Sequence, residues 1–121
     1  MAFVERYPIA GSLDFHAYSA VFLYPWGYTR DRLDSNWLKI FDPLTEKMAK
    51  TNDYGYGPIS EVMYIARGSS CDYFFWKYKT VSIAVETGDQ KSPDPSEFPK
   101  YIHEQEESTW MFIESFYKVS M

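Results

Sequence analysis

The stretch SLDFHAYSAVFLYPWGY, residues 12–28, decides how this chain is interpreted. Two apolar runs, Leu13 to Ser19 and Val21 to Tyr24, predict adjacent strands, and PWGY predicts the turn that closes them. His16 lies inside the first run. A single histidine in such a run is most often a core imidazole with hydrogen-bonded nitrogens, but imidazole is also the commonest zinc ligand in proteins. Other parts of the sequence are needed to distinguish a core histidine from a metal ligand.

The composition fits one domain, or part of one, with a buried core. The chain has 121 residues, of which 45% are hydrophobic and 20% aromatic, and this excludes a disordered protein. The net charge is −5 without a long basic cluster, so we expect no nucleic-acid partner. A single cysteine, Cys71, excludes an internal disulfide. We find neither a secretory signal nor a run of membrane-spanning length, so we expect no membrane partner, and the localisation stays open.

Helical patterns alternate with strand patterns along the chain. The predicted helices are the last turn of one over 2–7 and three further helices over 35–50, 69–78 and 100–119. Ser35 is the expected N-cap of the second helix, and Pro43 is expected to break or restart it. The final helix is predicted to have one apolar face, formed by Ile102, Trp110, Phe112, Ile113 and Phe116.

Two further strands are predicted from ISEVMYIA, residues 59–66, and TVSIAVE, residues 80–86, whereas TNDYGYGP, residues 51–58, is predicted to be a loop. Strands that are apolar on both faces indicate an α/β layer with a mixed, largely parallel sheet flanked by helices. His16, Tyr64 and Glu86 each lie late in a predicted strand. Because ligands bind beyond the carboxyl ends of such strands, we expect these three side chains at one edge of the sheet.

Three stretches resemble successive motifs of the zinc metallocarboxypeptidases of the carboxypeptidase A type. They are FHAYSAVFLYPWGY, YGPISEVMYIARGSSCDY and VSIAVETGD. Their order matches the family, and so does the interval of 22 positions from Tyr64 to Glu86. The resemblance covers nearly the whole chain, including the closing helix, and it implies the C-terminal half of the family's catalytic domain.

The resemblance implies a role for each polar residue of the motifs. His16 is similar to the family's third zinc ligand, and Glu86 resembles the general base and acid that activates the zinc-bound water. Tyr64 resembles the tyrosine that closes over the terminal carboxylate of a peptide. Tyr18 is similar to a tyrosine that contacts upstream substrate residues. The implied activity of the intact protein is hydrolysis of the C-terminal residue of peptides and proteins, with one zinc ion as cofactor.

The resemblance also implies a pocket for the substrate's last side chain. Its walls would be formed by Leu23, Gly27, Ile59, Met63, Ala66, Ser69, Ser70, Cys71 and Ala84. Neither Gly27 nor Cys71, which resembles the floor position, supplies a charge, so we expect a preference for apolar C-terminal side chains. The direction of Glu61 is left open. The resemblance further implies cis peptide bonds at Ala17–Tyr18 and Pro25–Trp26.

Part of the family's machinery lies outside these residues. The first two zinc ligands belong to an HxxE motif upstream of the His16 region, as do the arginines that bind substrate. The HEQE run from His103 to Glu106 comes after Glu86, and we interpret it as a solvated helix face. One histidine does not hold a catalytic zinc, since three protein ligands are needed. We therefore expect 1–121 to be an incomplete domain, inactive by itself, that lacks its N-terminal half.

Two other interpretations remain at this stage. In one, the chain is a non-catalytic carboxypeptidase-like domain that binds peptides or protein partners, although retention of His16, Tyr64 and Glu86 argues against this. In the other, it is a self-standing domain whose aromatic surface binds a partner. Missing sheet neighbours are expected to expose a sheet edge that promotes self-association. The family resemblance indicates that the intact protein is secreted.

Overall fold

A four-stranded sheet carries helices on both of its faces in the computed structural model, which describes residues 2–117. The elements follow one another as α1 (Ala2–Arg6), β1 (Gly11–His16), β2 (Val21–Tyr24), α2 (Ser35–Lys50), β3 (Gly55–Pro58), α3 (Ile59–Val62), α4 (Ser70–Tyr78), β4 (Val81–Glu86), a 3₁₀ turn (Pro95–Glu97) and α5 (Phe98–Tyr117). Within 2–117, no helix combines the length and apolar character needed to cross a bilayer. Val119, at the predicted end of the last helix, lies outside the described residues.

The sheet is mixed, in the strand order β1-β4-β2-β3. β1 runs parallel to β4, β2 runs parallel to β3, and the central β2–β4 pair is antiparallel. This arrangement confirms the predicted α/β class with a mixed, largely parallel sheet and a long C-terminal helix. It also places β1 at one edge of the described sheet.

The two faces of the sheet carry separate apolar clusters. On the first face, Phe22, Ile83 and Val85 pack with α2 and α5 through Phe41 and Phe112, all of them buried. On the second face, Val21, Leu23, Ile59 and Cys71 form a smaller buried cluster. Because side chains alternate along a strand, neighbouring residues of β2 contribute to different clusters. The polar residues of β1 and β4 that concern function share the second face.

The region between Thr51 and Ala66 differs from the prediction. The predicted loop TNDYGYGP contains strand β3, and the predicted strand ISEVMYIA begins as the single helical turn α3. The apolar spacing of ISEV fits one turn of helix as well as a short strand, so the pattern by itself did not separate the two. Tyr64 consequently lies between α3 and α4, and its predicted position in a strand is wrong.

Helix α2 also differs from the prediction, because it runs unbroken through Pro43. Its N-cap is Asp34 and not Ser35: the Asp34 carboxylate accepts hydrogen bonds from the backbone N–H groups of Asn36 and Trp37. Buried Phe41 and Met48 hold the helix to the core on either side of the proline. This packing offsets the roughly 3 kcal/mol that an interior proline costs a helix.

Candidate active site

His16 and Glu86 meet at the carboxyl ends of two neighbouring strands. They are the last residues of β1 and β4, and the parallel register pairs them directly. Paired residues of parallel strands project from the same face of a sheet, so the imidazole and the carboxylate lie side by side. Residues far apart in the chain thereby become neighbours at one edge, as the sequence predicts for strand-end groups.

The electrostatic surroundings of Glu86 reflect this placement. Partial burial raises the pKa of the Glu86 carboxyl above its ordinary value. The nearby His16 imidazole opposes the rise, and the Asp14 carboxylate adds to it. A carboxylate whose affinity for protons is increased in this way is suited to accepting and returning a proton.

Asp14 is a part of this site that the sequence analysis missed. It lies two residues before His16 on β1 and therefore on the same face. Its Oδ2 atom is 3.2 Å from His16 Nε2 and accepts a hydrogen bond of 2.5 Å from Ser70 Oγ. The hydrogen bond from Ser70 lowers the pKa of the Asp14 carboxyl. Burial opposes this decrease, and the nearby His16 lowers the pKa further. The sequence feature that could have identified Asp14 is its i, i+2 spacing from His16, since such residues of one strand share a face.

Most of the expected pocket residues come together in the apolar cluster on this face. Leu23, Ile59 and Cys71 are buried there with Val21, and the residues packed against them are Met63, Ala66 and Ala84. The Cys71 thiol donates to the carbonyl oxygen of Ser82 at 2.9 Å, and burial raises the pKa of Cys71 to about 12. The cluster thus brings six of the nine expected wall residues into one apolar surface beside β4.

The other three wall residues border this cluster. The Gly27 carbonyl accepts from Ala66 N–H at 2.9 Å, and a Cβ added to Gly27 would lie 2.9 Å from Ala66 O and 3.1 Å from Ile59 Cγ2. Ser69 caps α4 by accepting from Cys71 N–H, and Ser70 begins that helix. A side chain at Gly27 would therefore collide with the Ala66 carbonyl, so the glycine is what permits this close approach of the two backbone segments.

The two tyrosines that the sequence analysis selected are both exposed. Tyr18 follows the end of β1 and is 47% exposed, whereas Tyr64 is 64% exposed on the segment between α3 and α4. The peptide bonds Ala17–Tyr18 and Pro25–Trp26 are both cis, which confirms that prediction. Glu61, whose direction was open, pairs with the Arg32 guanidinium through bonds of 3.0 and 2.8 Å.

The residues of this site could supply part, but not all, of a zinc-binding site. The half-exposed His16 side chain offers an imidazole, and Glu86 offers a carboxylate beside it. Within 2–117, however, no group of three histidine, cysteine, aspartate or glutamate side chains is arranged to hold a metal ion. A catalytic zinc needs three protein ligands, so further ligands would have to come from outside the described residues. The HEQE residues His103 and Glu106 are exposed on α5 and face solvent.

A wide apolar groove lies on the first face of the sheet, between β1 and α5. Its volume is about 760 Å³, and its apolar lining comes mainly from Phe15, Phe98, Ile102, Trp110 and Ile113. The predicted single apolar face of the last helix is therefore divided. Phe112 is 5% exposed in the core, whereas Ile102 is 70% and Trp110 59% exposed along the groove.

Comparison with known proteins assigns the chain to a family. The sequence profile of the zinc carboxypeptidases matches residues 1–108, and the chain belongs to the zinc carboxypeptidase family. Zinc carboxypeptidase A 1 of Anopheles gambiae is 31% identical over 101 residues, which are 77% of this chain and 22% of that protein. The resemblance inferred from the three motifs is confirmed.

Two solved structures share the fold. Bovine thrombin-activatable fibrinolysis inhibitor, in complex with tick carboxypeptidase inhibitor, matches with a TM-score of 0.85 and 19% identity, over 97% of this chain and 43% of that one. Carboxypeptidase A from Helicoverpa armigera matches with a TM-score of 0.69 and 23% identity, over 84% of this chain and 28% of that one. The chain therefore spans less than half the length of each relative.

Proposed function

We propose that residues 1–121 are the C-terminal part of a zinc carboxypeptidase catalytic domain, and that the intact protein removes the C-terminal residue of peptides and proteins. The observation that carries this proposal is the register pairing of His16 with Glu86 on one face of the sheet. A core histidine needs no such partner, and the Glu86 carboxylate next to it is half-buried.

In this proposal His16 is one zinc ligand and Glu86 is the general base. Zinc, when bound, supplies a Lewis acid that polarises a carbonyl oxygen and makes water more acidic. The Glu86 carboxylate takes a proton from the attacking water and delivers it to the nitrogen of the leaving residue. In the same proposal Tyr64, which is exposed on its loop, closes over the substrate carboxylate, and the exposed Tyr18 contacts residues further upstream; their exposure supports both roles.

The proposed substrates end in apolar side chains. The buried cluster of Leu23, Ile59 and Cys71 provides an uncharged wall, and Gly27 beside it contributes no side-chain charge. Two carboxylates near this surface are already engaged: Asp14 by Ser70 and His16, and Asp72 by the backbone N–H groups of Gly27 and Tyr28. A basic side chain placed against the cluster would lose hydration without gaining a free ionic partner.

The test uses the longer protein that carries these residues. Glu86→Gln should retain bound zinc and lower kcat by about 10²–10⁴-fold, because the amide cannot accept the proton. His16→Ala should lose the zinc. Peptides ending in leucine or phenylalanine should be cleaved with a higher kcat/KM than the same peptides ending in lysine.

The matched control is Glu107→Gln, the same chemical change at an exposed residue of α5. This variant should keep both zinc and turnover. Full turnover by Glu86→Gln would remove Glu86 from the mechanism. Absence of zinc from the wild-type protein, together with peptide binding, would favour the non-catalytic alternative.

We also propose that the edge of β1 and the apolar groove beside it are covered by the remainder of the larger, secreted domain. The support is the length of the relatives and the exposed aromatic lining of the groove. When 1–121 is prepared alone, the same surface should drive self-association, whereas the longer protein should not associate through it. Sedimentation velocity over a concentration series distinguishes the two forms, and a chain that stays monomeric throughout would contradict this proposal.

A further inference from the structure

We propose that Asp14 and Ser70 position the His16 imidazole, with Asp14 accepting the Nε2 proton so that Nδ1 is left as the metal-binding nitrogen. This inference rests on the proposed role of His16 and adds two residues to it. The three groups come from two elements: Asp14 and His16 from β1, and Ser70 from the first position of α4.

The geometry converges on a single oxygen atom. Asp14 Oδ2 lies 3.2 Å from His16 Nε2 and 2.5 Å from Ser70 Oγ, which donates its proton to it. A serine hydroxyl that donates to the carboxylate limits rotation of the Asp14 side chain. Asp14 thereby restrains the His16 imidazole on its Nε2 side, and Ser70 at the start of α4 restrains Asp14 in turn.

The contact with Asp14 determines which nitrogen of the His16 imidazole carries the proton. An ionised carboxylate can only accept, and a neutral imidazole carries one proton on either of its two nitrogens. A carboxylate next to Nε2 therefore favours the tautomer with the proton on Nε2, which leaves the lone pair on Nδ1. Histidines that bind metal commonly donate their other nitrogen to such a partner, and its loss typically weakens metal binding 10- to 100-fold.

The position of Asp14 makes it a positioning residue and not a ligand. Its carboxylate is engaged on the Ser70 side, and within 2–117 no three-ligand cluster includes it. Asp14 is thus expected to act on zinc through His16. Removing it should change metal affinity more than it changes the stability of the fold, since its side chain is 40% exposed.

The first experiment measures zinc affinity of the longer protein by competition with a chelator. Asp14→Ala should weaken zinc binding about 10- to 100-fold. Asp14→Asn, which keeps the shape and one acceptor oxygen, should weaken zinc binding less than Asp14→Ala does. The control Asp31→Ala, at an exposed aspartate, should leave zinc affinity unchanged. If wild type binds zinc through His16 but both Asp14 variants bind within twofold of it, this inference is overturned while the proposed function stands. If wild type binds no zinc, the proposed function fails.

The second experiment needs no metal. In the metal-free longer protein, the imidazole ¹⁵N signals of the two histidines of 1–121, His16 and His103, are assigned with the variants His16→Gln and His103→Gln. In mildly alkaline buffer, His16 should carry its proton on Nε2, and this proton should give a downfield signal that the hydrogen bond to Asp14 protects from exchange with water. His103, whose side chain is 88% exposed, should show none. Asp14→Ala should abolish the His16 proton signal and Asp14→Asn should retain it weakly. A wild-type His16 with its proton on Nδ1 would overturn the inference.

Discussion

The Asp72 carboxylate binds the backbone of Gly27, accepting its N–H at 2.8 Å through Oδ1 and at 3.0 Å through Oδ2. Oδ2 also accepts from Tyr28 N–H at 2.9 Å. Asp72 belongs to α4, whereas Gly27 follows strand β2 and borders the expected substrate pocket. One side chain therefore ties the helix to the turn that shapes the candidate site.

Loss of the Asp72 carboxylate should destabilise the fold measurably. Asp72→Ala leaves the buried Gly27 N–H without an acceptor, so we expect the free energy of unfolding to fall by about 1–3 kcal/mol. Urea denaturation followed by circular dichroism measures this. Asp31→Ala, at an exposed position, should change stability by less than about 0.5 kcal/mol, and equal effects of the two variants would contradict the role of Asp72.

Gly88 and Gly68 provide a matched pair for the packing of α5. Both adopt a left-handed backbone, with φ of +71° and +80°. A Cβ at Gly88 would overlap the Tyr101 ring, whereas a Cβ at Gly68 would meet nothing within 4 Å. Gly68→Ala should cost about 1–2 kcal/mol from backbone conformation alone, and Gly88→Ala a further ~1–3 kcal/mol from overpacking. Chemical denaturation of both variants gives the difference, and equal losses would mean that the Tyr101 ring moves aside freely.

Cys71 should be unreactive in the folded chain. Burial raises the pKa of the thiol from its ordinary value of 9.0 to about 12, and the thiolate is the reactive form. Labelling with a disulfide reagent at mildly alkaline pH should be roughly a thousandfold slower in buffer than in denaturant. Because the folded thiol holds its proton more tightly, its contribution to stability is fully present below pH 9.0 and is lost as pH rises towards about 12. Rapid labelling of the native chain would contradict this burial.

Substitution within the groove should affect association of the isolated chain. Trp110→Ser removes an indole that is 59% exposed along the groove, so it should shift sedimentation towards monomer. Trp76→Ser removes a comparably exposed indole, at 63%, from α4 and should leave association unchanged. If both substitutions have the same effect, general surface hydrophobicity and not the groove drives association.

The parts of the site that could be predicted from sequence are those determined by the order of the motifs and by the positions of residues within the predicted strands. His16 and Glu86 end strands whose apolar runs are short and well bounded, so their meeting at one edge follows from a parallel sheet. Asp14 was not identified, because the resemblance gives it no role and its contact with Ser70 joins positions far apart in the chain. Asp72 was missed for the same reason.

The fold departs from the prediction where tertiary contacts decide local structure. Gly55–Pro58 has no β-branched residue, and it forms a strand because it pairs with β2. Pro43 stays within a helix because the residues around it are anchored in the core. The groove-lining residues of α5 follow helical spacing, but the spacing does not distinguish a face that packs on the sheet from one that lies open.

The parallel pairing of β1 with β4 also has a kinetic consequence. The two strands are separated in sequence by β2, α2, β3, α3 and α4. Contacts between such distant segments form slowly during folding, since the loop-closure entropy is lost before the contacts are gained. The pairing of the imidazole with the carboxylate is therefore expected to be among the slower contacts to form as the chain folds.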